Sequence, residues 1–90
     1  MAVYRLLVKP SAAKEVDAIG TKRDRLRIVE RIGGLAAEPQ PAGCEKLAGT
    51  TALYRIRQGH YRVVFTVDDQ LRILEVVKVG HRRDVYRGLK

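Results

Sequence analysis

Ninety residues, 46% of them hydrophobic, suffice for one small domain spanning residues 1–90 with a single modest core, and are too few for two domains. No apolar run approaches the roughly 18 residues that a membrane span needs. The N-terminus lacks a charged leader followed by a long apolar stretch and cleavage site, so the expectation is a soluble cytoplasmic protein with no membrane partner. The one cysteine, Cys44, excludes an internal disulfide and a cysteine-based metal cluster, and no cofactor or metal is expected.

Charge is more informative. Eighteen Lys and Arg against ten Asp and Glu give a net +8, of which +2 falls in residues 1–45 and +6 in residues 46–90. An excess concentrated in one half suits a polyanionic partner, nucleic acid or a strongly acidic protein, and equally a basic surface kept for solubility.

Residues 2–8 are apolar, β-branched or aromatic apart from Arg5 and stop at Lys9-Pro10, which predicts a strand. Pro10-Ser11 opens a helix with Ser11 as its expected N-cap, Ala12, Val16 and Ile19 on one face, and Gly20 closing it. Thr21 and Asp24 resemble a capping box at the start of a second helix. Its apolar positions are Leu26, Val29, Ile32, Leu35 and Ala36, with Lys22, Arg23, Arg25 and Arg27 facing water. Residues 38–51 are a connection anchored by Leu47. Beyond it, residues 53–57, 61–67 and 71–79 are dense in strand-forming residues and separated by the turn signals Gln58-Gly59-His60 and Asp68-Asp69-Gln70. Such short links force antiparallel neighbours. The layout is α+β, in the order β-α-α-β-β-β, with two N-terminal helices on one face of a mainly antiparallel four-stranded sheet.

Alternation along the strands predicts which side chains share a face. Tyr54, Ile56, Val63 and Phe65 point to the helices, leaving Arg55, Arg57 and Arg62 on the open side. Arg82, Arg83 and Arg87 follow the last strand and can fold back beside them. Guanidiniums gathered in one concavity repel unless an anion fills it. The bland alternative is a solvated face with pairing to Glu75 or Asp84.

Three runs in order carry a resemblance: Lys46-Leu47-Ala48-Gly49, then Leu53-Tyr54-Arg55-Ile56-Arg57-Gln58-Gly59-His60-Tyr61-Arg62-Val63-Val64-Phe65, then Val79-Gly80-His81-Arg82-Arg83-Asp84-Val85-Tyr86. The chain resembles the RelE/ParE superfamily of toxins from type II toxin–antitoxin systems over essentially its whole length, and is closest to the RelE branch of mRNA interferases. The resemblance implies the RelE-like fold and ribosome-dependent, metal-independent scission of mRNA in the A site by the neighbouring 2′-hydroxyl. It also implies that Arg55, Arg57, Arg62, Arg82 and Tyr86 hold the family's cationic and tyrosine positions; with them, Arg62, Arg82, Tyr86 and His81 are the expected catalytic residues, and Arg55, Arg57, Arg83, Arg87 and Lys46 the expected RNA-binding ones.

The family prototype carries lysines where this chain has Arg55 and Arg57. A guanidinium is a permanent cation and cannot take up the 2′-hydroxyl proton, so His81 and Tyr86 remain the candidates for a base, with His60 read as an exposed turn residue. The implied partners are a cognate acidic antitoxin, the ribosome and mRNA, with operator DNA reached only through the antitoxin. A ParE-like inhibitor of DNA gyrase, acting by binding without nuclease activity, is the alternative on the same fold. A basic binding partner without toxicity is a third reading.

Overall fold

A computed structural model describes residues 3–41, 43–47 and 53–86. The element order is β1 (Arg5–Val8), α1 (Pro10–Asp17), α2 (Lys22–Gly34), β2 (Glu45–Lys46), β3 (Leu53–Gln58), β4 (Tyr61–Asp68) and β5 (Ile73–His81). These form an α+β fold in which the five strands make one sheet in the order β1-β5-β4-β3-β2.

The meander β3-β4-β5 is antiparallel as its short turns require. β1 instead lies parallel to β5 on the far edge, reached through the α1–α2 crossover. The expected four strands become five because two residues, Glu45 and Lys46, pair with Arg55 and Tyr54. A pairing that brief has no periodicity to betray it in sequence.

The helices differ from expectation at their ends and on one face. Proline already occupies the first turn of α1 with Lys9 as N-cap, so Ser11 lies inside the helix. The helix gives way at Ala18, before Gly20. Thr21 is the N-cap of α2, but its side chain makes no capping hydrogen bond and the predicted box with Asp24 does not form. The buried stripe of α2 is Ile28, Ile32 and Leu35, the i, i+4, i+7 row, whereas Leu26 and Val29 are each 52% exposed. Arg25 does not simply face water, since its Nη1 donates to the Ile19 carbonyl at 2.8 Å and ties the two helices at their joint.

Ala12 and Val16 of α1, with Ile19 just beyond it, meet the α2 stripe over Ile56, Val63, Phe65, Val67, Leu74, Val76 and Val79 of the sheet. Both helices therefore cover one face, as alternation predicted. β5 begins at Ile73 rather than Leu71 because Asp68 Oδ1 accepts the amide protons of Gln70 and Leu71, and Arg72 then turns through φ +55°. The strand also runs on to His81, two residues further than expected. A bulge at Val77, between the pairs Val64–Lys78 and Phe65–Val76, twists the end of β5. There the Glu15 carboxylate accepts the Val79 amide at 2.9 Å and pairs with Lys78 at 3.0 Å, so α1 closes the strand edge that β1 leaves uncovered.

Candidate nucleic-acid interface

The helix-free face of the meander carries the cationic side chains. Arg57 and Arg62 stand directly opposite each other across β3 and β4, and Arg55, two residues back along β3, shares their face. On its other side Arg62 is paired with Gly80 of β5, which presents no side chain to that face. The chain after β5 uses this space: a Cβ on Gly80 would lie 3.4 Å from the Val85 Cα.

The last turn is held by backbone hydrogen bonds. The His81 carbonyl accepts the Asp84 and Val85 amides at 2.8 and 2.9 Å, and the Arg82 amide donates to the His60 carbonyl in the β3–β4 turn at 2.7 Å. Val85 is buried and anchors the turn, while Arg82, Arg83 and Tyr86 are exposed. The polar tail thus returns across the open face as expected.

Arg62 lies at the centre of the resulting group. Burial, then the positive charges of Arg57 and Arg55 and, more weakly, Arg82, push its guanidinium below the ordinary arginine value, while Tyr86 acts in the opposite direction. Arg55, Arg57, Arg62, Arg82 and Tyr86 therefore share one electrostatic neighbourhood, and an anion there would relieve their repulsion. Arg62 Nη1 donates to the carbonyls of Gly59 and Tyr61 at 3.2 and 3.0 Å, which fixes the guanidinium against the hairpin turn. Arg55 is held differently, by an ion pair with Glu45 at 2.8 Å.

Not every expected residue joins the group. Lys46 pairs with Tyr54, a residue packed against the core, and so lies out of phase with Arg55 on the pleat. Arg87, and Ala48-Gly49 of the first motif, lie outside the described residues. Arg83 donates its backbone amide to His81 Nδ1 at 3.3 Å, which assigns the proton of a neutral His81 to Nε2.

His60, read from sequence as an exposed turn residue, is exposed in the turn and makes a ring contact. Gly59 takes φ +61° at the first position of the two-residue turn, and His60 follows at the second. Its ring stacks on His81 with centroids 6.0 Å apart and planes at 19°, and Tyr61 meets His81 edge-on at 6.0 Å. Tyr61 and His81 are directly paired across β4 and β5, and Tyr61 packs against the core, so the expected catalytic His81 and the His60 ring beside it lie on the helix side of the pleat and not with Arg62. Among the described residues no group of three or more His, Cys, Asp or Glu side chains is arranged to hold a metal ion, and no helix is long and apolar enough to cross a membrane.

Two helices on one face of a mixed sheet, with guanidiniums and a returning tail on the other, define a RelE-like α+β domain. The chain belongs to the family described as the ParE toxin of type II toxin–antitoxin systems, whose model matches residues 6–86. It is 36% identical over 58 residues to Toxin RelG of Mycobacterium tuberculosis, a match covering 61% of this chain. The chain spans about 63% of the length of that curated relative. Among solved structures it is similar to the archaeal RelE–RelB complex from Pyrococcus horikoshii, with 29% identity, TM-score 0.78, and coverage of 94% of this chain and 100% of the other. The intact E. coli RelBE toxin–antitoxin complex gives 27% identity, TM-score 0.73, and coverage of 87% and 95%. The RelE/ParE resemblance carried by the sequence motifs is met at the level of superfamily and fold.

Proposed function

We propose that this protein is the toxin of a toxin–antitoxin pair and acts as a ribosome-dependent mRNA endonuclease. The observation that carries the reading is the convergence of Arg57, Arg62 and Arg82 with Tyr86 on the helix-free face. Scission by the neighbouring 2′-hydroxyl builds negative charge on a pentavalent phosphorus, and prearranged planar donors stabilise that charge more than they stabilise the substrate. Arg62 and Arg82 bind the phosphate, Tyr86 aligns or stacks on a base, and Arg55 and Arg57 extend the cationic track along the message. Arg83 and Arg87 add charge in the tail, and the cations come from the protein itself without a metal. The ribosome supplies the A-site message in the extended form this shallow face can hold.

The cognate partner is an acidic antitoxin that covers the cationic face, and operator DNA is reached only through it. Solved relatives described as RelE–RelB and RelBE complexes support such a partner. Its action on translating ribosomes assigns the protein to the cytoplasm.

The test is an in vitro translation mixture with purified protein, read by primer extension. Codon-spaced cuts are expected with ribosomes and none without them. Arg62→Ala and Arg82→Ala each lose about a hundredfold in rate, the usual cost of one charge-stabilising donor. The ParE description of the family model favours a second reading, a DNA gyrase inhibitor without nuclease activity. DNA breakage in arrested cells whose messages stay intact would establish that reading instead.

A further inference from the structure

We propose that Glu45 is a specificity-determining residue whose carboxylate occupies the anion seat of Arg55, so that RNA must displace it to engage that arginine. The inference deepens the endonuclease reading above and rests on it.

The register divides the helix-free face into rows. One row runs from Arg57 through Arg62 to Gly80, and the next from Glu45 through Arg55 and Val64 to Lys78. Arg62 in the first row is held by neutral backbone carbonyls, which leave its charge uncompensated. Arg55 in the second is paired with a carboxylate: its Nη2 donates to Glu45 Oε1 at 2.8 Å. Nη2 belongs to both edges through which a guanidinium grips an anion with two parallel hydrogen bonds, the Nη1–Nη2 edge and the Nε–Nη2 edge. A phosphate arriving at either edge meets the Glu45 carboxylate and is repelled by it.

The two partners are not equally fixed. The Arg55 side chain is 15% exposed and that of Glu45 61%, so the glutamate is the member a stronger anion can draw away. Arg55 lies within the six-residue β3 and is paired on its inner side with Val64, while Glu45 belongs to a strand of two residues. Arg55 is also near enough for its charge to act on the Arg62 guanidinium, so an anion on one adjoins an anion on the other. Free single-stranded RNA must become ordered and displace Glu45 at once. A message held in the ribosomal A site is already ordered, and its neighbouring phosphates bear on Arg55 and Arg62 together. Glu45 therefore weakens capture of free RNA more than capture of the ribosome-held message.

The experiment is equilibrium binding of a short fluorescent single-stranded RNA over a range of salt, beside single-turnover cleavage of a message on programmed ribosomes. Glu45→Gln should bind the free RNA about threefold more tightly at low salt, the scale of one exposed ion pair. Its slope of log affinity against log salt should steepen by about 0.7, one further phosphate contact on a single strand. Glu75, beside Leu7 and Thr66 in the register, carries the same charge on the same face, and Glu75→Gln should leave the slope unchanged. In an Arg55→Gln background the Glu45 substitution should leave it unchanged too. Cleavage on ribosomes at saturation should stay close to wild type in Glu45→Gln, so the preference for ribosome-held over free RNA narrows. A Glu45→Gln that binds free RNA no more tightly than wild type, or less tightly because Glu45 serves to hold Arg55 in place, overturns the inference alone. So does a Glu75→Gln that steepens the slope equally, which would reduce the effect to net charge. Wild-type protein that leaves the ribosomal message intact overturns the endonuclease reading and this inference together.

Discussion

Arg57 and Arg62 are a directly opposed, like-charged pair across two adjacent antiparallel strands. Such a pair is destabilising by a few tenths of a kcal/mol to about 1 kcal/mol, and while Arg62 bonds the turn carbonyls, the Arg57 bond across to α2 uses only its backbone carbonyl. A stability cost retained at one register position is what a surface built for an anion looks like.

Arg57→Gln is therefore expected to stabilise the isolated protein by about 0.5 kcal/mol while weakening its binding to RNA. The Arg57 carbonyl, which receives Arg31 Nη2 at 3.3 Å, is backbone and survives the substitution. Thermal melts at low salt measure the gain, and the gain should shrink as salt screens the repulsion. Filter binding to a short RNA measures the loss. A variant that melts lower than wild type would mean the two guanidiniums are held favourably by the fold.

The sheet's centre was legible in sequence and its edges were not, for a physical reason. β3, β4 and β5 announce themselves because alternation and the Gly59-His60 and Asp68-Asp69 turns are local signals. The parallel pairing of β1 with β5 is a contact between distant segments, and the β2 pairing is two residues long. In α2 both Val29 and Ile28 suit a helical spacing, and only packing against the sheet selects Ile28. The site divides similarly. Arg55, Arg57 and Arg62 follow from strand period, and Arg82 and Tyr86 from motif order. His81, adjacent to Arg82 in the motif, falls on the opposite phase of the pleat from Arg62 because it pairs with the core-packed Tyr61. Lys46, adjacent to the motifs in sequence, falls on the wrong phase of the pleat.

Cys44 offers a measurable pH dependence. Burial, and secondarily the Glu45 charge, pushes its thiol up relative to a free cysteine. The folded protein therefore keeps the thiol protonated at pH values where the unfolded chain has begun to ionise. The stability linked to this group is complete below the unfolded thiol value, about 8.5, and is lost as pH rises from there through the raised folded value. Iodoacetamide should label native protein more slowly than urea-unfolded protein at pH near 8.5, where thiolate fraction limits the rate. Equal rates would show that the thiol is not shielded.

Gly80 gives the sharpest separation of folding from function. Its open-face position lies under Val85, with the Val85 Cα 3.4 Å and Cβ 3.5 Å from where a Cβ would sit. A single methyl is close to ordinary contact, so Gly80→Ala should fold and retain most activity. Gly80→Val adds two further methyls where Val85 already packs, and the cheapest relief is to lift the tail from the sheet. The core on the opposite face, built on Val63, Phe65, Val76 and Val79, does not depend on that tail. Gly80→Val is accordingly expected to lower the melting temperature only modestly but to cut message cleavage by about a hundredfold, as loss of a positioned charge does. Proteolysis should then nick the chain after His81 more readily than in wild type, because the Arg82 and Val85 amides have left the carbonyls of His60 and His81. Full cleavage by Gly80→Val would mean that Arg82 and Tyr86 act without being docked.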